Sequence, residues 1–321
     1  MKDDSLPLPR TLAMWEQRRT GSSRDTKMNF SCEHGDERTK NFMLHTGSVC
    51  RPSIFDSTTA FYAVQNGELK QCGSATLLEL GDKNFILTAA HTFDALTALN
   101  LPTFVTNSVH GAKLIPFNKV GICRPNTKDP FHRTDDPFDI CVGDLPAEIV
   151  NELKKGKRFL HLNQLDPFER VNVHSWYCAL GYPTEMNQSD YRKRALSYAC
   201  TYNTFLYRGE RGLPERFDHS VEILLDFHED RNTNDDGTKG PLTDPHGMSG
   251  CGIWRLAQGG CVMEAWKPED IRLVGIQHGW DTVHHVLRGT RVGFAIQMIY
   301  KSHADLRQAI EFHYGPQARL F

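Results

Sequence analysis

The sequence predicts an all-β protein, a sandwich or barrel of antiparallel strands with a helix near its end. Short apolar runs alternate with turn residues from about residue 45 onward. Many short strands at near-regular spacing favour such architectures over alternating βαβ units. The runs interpreted as strands are 61–64, 75–80, 84–88, 139–142, 171–180, 221–227, 252–254, 273–277 and 292–299.

Two dipeptides between these runs are typical of tight hairpin turns, Asn66-Gly67 and Gly81-Asp82. Asparagine, aspartate and glycine tolerate the positive φ angles that two-residue hairpin loops require. Each pair therefore predicts that its flanking strands lie side by side. Toward the end of the chain, residues 300–311 carry helix-favouring side chains and predict the closing helix.

The distribution of charge suggests three segments along the chain. Residues 1–44 are rich in charged side chains and are interpreted as an amino-terminal extension. A basic run at 154–158 marks a connection within about 146–168. We therefore predict two β units, 45–160 and 161–321, with the closing helix in the second.

Composition excludes several classes of function. The 321 residues carry a formal net charge of −2, which gives no electrostatic reason to expect nucleic acid or an anionic membrane as partner. No apolar stretch approaches the roughly 20 residues needed to span a bilayer, and the polar, acidic amino terminus predicts a cytoplasmic protein. The nine cysteines contain no CxxC pair, which favours reduced thiols over a metal site or a disulfide framework. We expect no cofactor, and the sequence does not indicate an oligomeric state.

Three short motifs carry the functional information, and they follow one another in a fixed order. An apolar run ends at His91, and Asp139 opens a second one. Ser249 lies within the turn 247–250, which begins and ends with glycine. A serine hydroxyl is a poor nucleophile near neutral pH, so it needs an imidazole to accept its proton and an acid to hold that imidazole in the correct tautomer. Together the three residues predict a serine peptidase.

The turn around Ser249 is the most specific of the three motifs. Gly247 and Gly250 allow the backbone to turn tightly beside the nucleophile, and an apolar strand follows directly. The N–H groups of Gly247 and Ser249 are predicted to converge as an oxyanion hole. For the acid, Asp135 and Asp136 lie close in sequence to Asp139 and remain alternatives.

These motifs resemble those of the trypsin-like serine peptidases, which have the chymotrypsin fold. Residues 88–91, Thr-Ala-Ala-His, are similar to the family's histidine motif, and 139–140 are similar to the start of its Asp-Ile-Ala strand. Residues 247–250, Gly-Met-Ser-Gly, resemble its nucleophile turn, and 274–276 resemble the strand beside its substrate pocket. The resemblance covers about residues 45–300 and implies two antiparallel β-barrels with a C-terminal helix. It also implies a catalytic triad made of the histidine, aspartate and serine named above.

Two departures from the family pattern bear on regulation. Met248 stands before the serine, where zymogen members carry an aspartate that pairs with a newly cut amino terminus. Cys72 is at a position similar to the family's half-cystine, but Thr92 stands where its partner would be, so that bridge is not expected. Both departures indicate a non-zymogen, cytoplasmic type.

The resemblance also implies a primary substrate pocket. Thr243 occupies the position at its base, and His246 and His278 are predicted to flank it. Glutamyl endopeptidases use a histidine near this strand to accept an acidic side chain, although here Gln277 intervenes before His278. A one-residue shift would instead place Asp244 at the base and favour basic side chains. The pocket preference therefore stays open.

The sequence thus predicts a serine endopeptidase that acts on protein or peptide substrates through an acyl-enzyme. The alternative is a catalytically inactive trypsin-like fold that serves as a protein-binding module, and it predicts no reaction with a serine-directed fluorophosphonate. A third interpretation is an esterase with the same triad. Turnover of small esters without any peptide cleavage would favour that interpretation.

Overall fold

Two antiparallel β-sheets form the body of the protein. The computed structural model describes residues 37–98, 102–107, 113–118, 120–125, 136, 138–168, 175–187, 198–228, 243–257 and 266–320. Most of the predicted amino-terminal extension, residues 1–36, lies outside these ranges.

The first sheet has seven strands in the order β5-β4-β1-β2-β3-β7-β6. All of its neighbouring strands pair antiparallel. Its strands are β1 (Thr58–Gln65), β2 (Glu68–Leu80), β3 (Lys83–Thr88), β4 (Thr103–Thr106), β5 (Leu114–Pro116), β6 (Gly121–Cys123) and β7 (Cys141–Asp144).

The second sheet has six strands in the order β10-β13-β12-β11-β8-β9, again antiparallel throughout. Its strands are β8 (Trp176–Gly181), β9 (Cys200–Phe205), β10 (Glu222–Asp226), β11 (Gly252–Ala257), β12 (Arg272–Asp281) and β13 (Val286–Arg291). The predicted all-β class with two antiparallel sheets and a C-terminal helix is therefore confirmed. The predicted unit boundaries at 45, 160 and 161 stay predictions.

Five α-helices accompany the sheets in the described part of the chain. They are α1 (Glu37–Asp56), α2 (Ala90–Ala98), α3 (Ala147–Leu153), α4 (Val292–Ser302) and α5 (Arg307–Tyr314). Helix α1 lies against strands of both sheets, and α4 contacts β7 of the first sheet and β12 of the second. No helix within the described ranges combines the length and apolar character that crossing a membrane requires.

Both predicted hairpin turns are present. Asn66 and Gly67 have φ angles of 53° and 80° and join β1 to β2. Gly81, with a φ of 63°, begins the turn that joins β2 to β3. The local turn chemistry therefore set the pairing of the first three strands, as the dipeptides indicated.

One predicted strand is wrong. Residues 292–299 form most of helix α4 rather than a strand. Val292, Ala295, Ile296 and Ile299 are almost completely buried, and their spacing of three, four and seven residues places them on one helical face. A short apolar run fits a buried strand and a buried helix equally well, and here packing between the two sheets selected the helix.

The apolar core has a shared part and a separate part in each sheet. The shared cluster joins Tyr62 and Leu87 of the first sheet to Leu180 and Trp254 of the second, together with the buried face of α4. A second cluster lies within the first sheet, and a third lies within the second sheet. Because the shared cluster binds the sheets together, loops from both sheets can be held against one another at a common edge.

Candidate active site

Strand pairing brings His91 and Asp139 together. Strands β3 and β7 are antiparallel neighbours, with Thr88 opposite Cys141. His91 follows Thr88 by three residues, and Asp139 precedes Cys141 by two, so both emerge at the same end of the strand pair. The approach is close because Ala89 and Ala90, between strand and histidine, are small and completely buried.

Two hydrogen bonds join this pair. The backbone N–H of His91 donates to Oδ1 of Asp139 at 2.9 Å, and its ring Nδ1–H donates to Oδ2 at 2.8 Å. Asp139 has a φ of 34°, a left-handed conformation that few non-glycine residues adopt. The Asp139 carbonyl also accepts the Ala90 N–H at 3.3 Å. In the neutral imidazole, a proton held on Nδ1 by the bond to Asp139 leaves Nε2 as the acceptor nitrogen.

The carboxylate of Asp139 is ionised at neutral pH. Burial by itself raises its pKa, but the hydrogen bonds and charge of His91, with a further contribution from His278, lower it to about 2. An acid that stays ionised while buried can stabilise a positive charge on the neighbouring imidazole. Asp136, the described alternative, accepts the Phe138 N–H through Oδ1 at 2.9 Å and makes no hydrogen bond to His91. Asp135 lies outside the described residues.

Ser249 lies on a turn that is pressed against the first sheet. Its carbonyl accepts the backbone N–H of Ser74, on β2, at 2.8 Å. Gly250 has a φ of 96°, and a Cβ there would lie 2.0 Å from the Ser74 carbonyl oxygen. This position therefore requires glycine, for both its conformation and its close contact.

The Ser249 hydroxyl makes no hydrogen bond to His91 in this structure. Among the described residues, the polar atom within hydrogen-bond reach of His91 Nε2 is Thr92 Oγ1, at 3.5 Å. Hydrogen bonds between a nucleophile and its base are often long before substrate binds. The structure thus brings His91 and Asp139 into contact and leaves Ser249 in the adjoining turn.

Two backbone N–H groups of the turn are left without a partner among the described residues, those of Gly247 and Ser249. The N–H groups of the residue that follows each of them, Met248 and Gly250, are hydrogen-bonded to carbonyls. Met248 donates to Pro245 at 2.9 Å, and Gly250 donates to Gln277 at 2.7 Å. The two unpaired groups are the predicted oxyanion donors.

The orientation of these two N–H groups is set by the carbonyls of the same peptide planes. The His246 carbonyl accepts the Thr184 N–H at 2.8 Å, and the Met248 carbonyl accepts the Cys251 N–H at 2.9 Å. In a planar trans peptide the N–H points opposite to the carbonyl. Fixing the two carbonyls therefore directs the Gly247 and Ser249 N–H groups away from these partners.

Residues that the sequence analysis missed hold this turn. Gln71 Nε2 donates to the Gly247 carbonyl at 3.0 Å, and the Ser74 hydroxyl donates to the same oxygen at 3.1 Å. The Thr184 hydroxyl donates to Gln71 Oε1 at 2.8 Å. Gly247 has a φ of 90°, and a Cβ there would lie 2.3 Å from the Thr184 hydroxyl. No local sequence signal marks these residues, because the hydrogen bonds join segments more than 100 positions apart.

Met248 anchors the turn from its other side. Its side chain is 1% exposed and belongs to the apolar cluster of the second sheet, which includes Tyr202, Phe227 and Ile253. An apolar anchor of this kind needs no charged partner. The turn is held in its conformation by packing in the intact chain.

The structure corrects one detail of the cysteine interpretation. The backbone position that faces Thr92 is Gly73 rather than Cys72, since a Cβ on Gly73 would lie 2.3 Å from Thr92 Cγ2. The Cys72 thiol instead donates to the Phe61 carbonyl at 3.4 Å, and burial raises its pKa to about 12. All seven described cysteines are free.

The three predicted pocket residues lie in different surroundings. Thr243 is partly buried. Burial raises the pKa of the Cys200 thiol, and Thr243 partly offsets that rise. His246 is exposed, and its backbone N–H donates to Asp244 Oδ1 at 2.9 Å. His278 is 12% exposed and lies beside Asp139, with 3.7 Å between its Nδ1 and Oδ2. Their role in substrate binding stays a prediction.

Within the described ranges, no group of three or more His, Cys, Asp or Glu side chains is arranged to hold a metal ion.

Comparison with known proteins gives similarities among solved structures alone. Neither a protein-family model nor a curated protein sequence matches the chain. A thermostable serine protease, AL20, from an extremophilic microorganism is similar with 10% identity and a TM-score of 0.46, covering 78% of this chain and 98% of its own. An inactivated protease paralogue of the scabies mite has 15% identity and a TM-score of 0.47, with 79% and 98% covered. A Glu endopeptidase has 13% identity and a TM-score of 0.43, with 78% and 92% covered.

Proposed function

We propose that the protein is a serine endopeptidase in which Ser249, His91 and Asp139 form the catalytic triad. The observation that carries the proposal is the doubly hydrogen-bonded His91–Asp139 pair, which presents an acceptor nitrogen at the edge where the Ser249 turn lies. The two unpaired N–H groups of that turn add a second, independent element of the same chemistry. A protein or peptide is the proposed substrate, and no cofactor is required.

The chemistry follows from these groups. Ser249 Oγ attacks the scissile carbonyl while His91 Nε2 takes its proton, and Asp139 stabilises the imidazolium that forms. The N–H groups of Gly247 and Ser249 hydrogen-bond the developing oxyanion, each contributing roughly 3 kcal/mol. His91 then passes the proton to the leaving amine. Water, activated by the same histidine, hydrolyses the acyl-enzyme and regenerates the hydroxyl.

Two further features bear on where and when the enzyme acts. The buried Met248 supports a site that is competent in the intact chain, without an ion pair to a newly cut amino terminus. The free cysteines support a reducing compartment such as the cytoplasm.

Labelling with a fluorophosphonate probe tests the proposal directly. The wild-type protein should react covalently at Ser249, and the Ser249→Ala variant should not. Ser220→Ala is a matched control, because Ser220 is an exposed serine whose hydroxyl donates to Asp218, two residues before it. Equal labelling of wild type and Ser249→Ala, or labelling of neither in a folded protein, would remove the peptidase assignment.

The alternative function, an inactive fold that binds other proteins, is favoured by one observation. The Ser249 hydroxyl makes no hydrogen bond to His91 in the described structure. If the serine stays outside reach of the base, folded protein will show no probe reaction. If the protein turns over p-nitrophenyl acetate but cleaves no peptide substrate, the esterase interpretation replaces both.

A further inference from the structure

His278 lies between the partly buried carboxylate of Asp139 and the buried carboxylate of Glu222. Its Nδ1 is 3.7 Å from Oδ2 of Asp139, the same oxygen that accepts the His91 ring N–H. Its Nε2 is 3.2 Å from Oε1 of Glu222. The Nε2 approach does not have hydrogen-bond geometry, and this buried nitrogen has no hydrogen-bond partner among the described residues. The ring therefore lies against both carboxylates without a hydrogen bond to either.

Glu222 is itself held as a carboxylate. Arg288 donates to it from Nε at 2.9 Å and from a terminal nitrogen at 2.8 Å, the bidentate geometry that fixes a carboxylate plane. The Glu222 side chain is 5% exposed. Burial raises its pKa, but His278 and Arg288 lower it overall. A buried carboxylate fixed in this way gives the second nitrogen of His278 a rigid neighbour.

The strands explain why these groups meet. Glu222 on β10 pairs with Thr290 on β13, and β13 pairs with β12, which carries His278. The Thr290 hydroxyl also donates to the Phe138 carbonyl, one residue before the acid. The second sheet therefore contacts this segment at two points. Thr290 contacts the backbone carbonyl of Phe138, and His278 contacts the carboxylate of Asp139.

We propose that His278 is a positioning residue, which holds the Asp139 carboxylate in its bond to His91 and is itself held by the Glu222–Arg288 pair. The proposal rests on the proposed function and deepens it. Asp139 has a strained backbone conformation, so its side chain needs support beyond the histidine that it orients. Along these contacts the side chains follow the order His91, Asp139, His278, Glu222, Arg288, so each carboxylate lies between two basic side chains. Removal of the His278 ring would leave two carboxylates facing each other across the vacated space.

The proposal differs measurably from the pocket role that the sequence predicted for His278. A histidine that accepts an acidic substrate side chain affects KM, and only for substrates with that side chain. A histidine that positions Asp139 affects kcat for every substrate, because the base is impaired regardless of what is bound.

The first experiment separates these two roles. His278→Gln and His278→Leu are assayed on two peptide p-nitroanilides that differ only in Glu or Leu before the scissile bond, and on p-nitrophenyl acetate. We expect kcat to fall on the order of tenfold or more on all three, with KM nearly unchanged and with His278→Leu the more impaired. A loss confined to the Glu substrate, a change in KM alone, or unchanged rates would overturn the proposal.

The support of His278 is tested with a matched pair of arginines. Arg288→Met breaks the bidentate pair with Glu222. Arg211→Met breaks a pair held by one hydrogen bond, in which a terminal nitrogen of Arg211 lies 2.7 Å from Oδ1 of Asp226, on the same strand β10 as Glu222. We expect Arg288→Met to lower kcat and Arg211→Met to leave it at the wild-type value. Equal effects of the two variants would show a general loss of stability and would contradict the proposal.

A spectroscopic readout makes the test independent of peptidase activity. In a Ser249→Ala background, the proton on His91 Nδ1 is followed by its downfield proton NMR signal, which depends on its hydrogen bond to Asp139. We expect His278→Leu to shift or broaden this signal, and an unchanged signal would overturn the proposal. If the probe never labels Ser249 but the signal responds to His278, the proposed function fails while the positioning role survives.

Discussion

The two sheets hold their shares of the site by different means. On the first sheet, His91 and Asp139 are joined by two direct hydrogen bonds between neighbouring strands. On the second sheet, Ser249 lies on a turn whose side-chain anchor is the buried Met248. The turn is further clamped by Gln71 and Ser74, which come from the first sheet. The His91–Asp139 half of the candidate site therefore depends on charge and hydrogen bonds, whereas the Ser249 half depends on packing and on contacts between the sheets.

The largest expected effect tests the charged half. Asp139→Asn keeps the shape of the side chain but presents an amide to His91 and favours the wrong tautomer. We expect kcat to fall on the order of 10⁴-fold with folding intact, the magnitude known for the same change in the well-studied serine protease example. Steady-state kinetics on a peptide p-nitroanilide measures it. Asp136→Asn is the control, and a large loss there with none at Asp139 would transfer the role of the acid.

The packed half is tested at its tightest contact. Gly250→Ala introduces a Cβ at a φ of 96° and 2.0 Å from the Ser74 carbonyl oxygen. Gly315→Ala is the control, since Gly315 has a φ of 66° and no atom within 4 Å of the added Cβ. Backbone strain alone costs about 1–3 kcal/mol, so Gly315→Ala should lose that much in the free energy of unfolding and Gly250→Ala more. Urea unfolding measures the free energy of unfolding of both variants. Equal losses would mean that the turn shifts to accommodate the added Cβ at little cost.

The pH dependence of the free energy of unfolding tests how much the Asp139 carboxylate contributes to stability. The pKa of Asp139 is lowered in the folded protein from 3.8 to about 2. The stabilisation is therefore fully present above pH 3.8 and is lost as the pH falls through about 2. We expect Asp139 to contribute about 2 kcal/mol to the free energy of unfolding near neutrality. Asp139→Asn should flatten the decline in stability between these pH values. Parallel curves for the two proteins would show that the carboxylate is not stabilised by folding.

The smallest effect concerns the clamp between the sheets. Gln71→Met removes the hydrogen bonds to the Gly247 carbonyl and to Thr184 while keeping a side chain of similar length. We expect kcat to fall about tenfold, less than the roughly 10²-fold or greater loss when an oxyanion donor is removed outright. Gln65→Met is the matched control, because Gln65 is exposed at the end of β1. An unchanged kcat for Gln71→Met would show that packing alone orients the turn.

Features of the fold that depend on neighbouring residues were predictable from the sequence. Features that depend on contacts between distant segments were not. The hairpins at Asn66-Gly67 and Gly81-Asp82 were predictable, because a two-residue turn is set by the φ angles of its own residues. The run 292–299 was assigned to the wrong element, because its apolar spacing allows a strand or a helix until the sheets around it are known. The same contrast applies to the site. His91 and Asp139 have local signals, whereas Gln71, Thr184 and Glu222 act through contacts with distant segments.

The sequence by itself determined the all-β class, the order of the three candidate catalytic residues, and the glycines on which the nucleophile turn depends. These properties follow from alternating apolar runs, turn-forming dipeptides and the chemistry of individual side chains. Only the tertiary structure decided that Gly73 faces Thr92, that Gln71 holds the Gly247 carbonyl, and that His278 lies against Asp139 and Glu222. The physical reason is distance along the chain: strand register and packing bring these groups within a few ångströms, and no local pattern of residues encodes such a meeting.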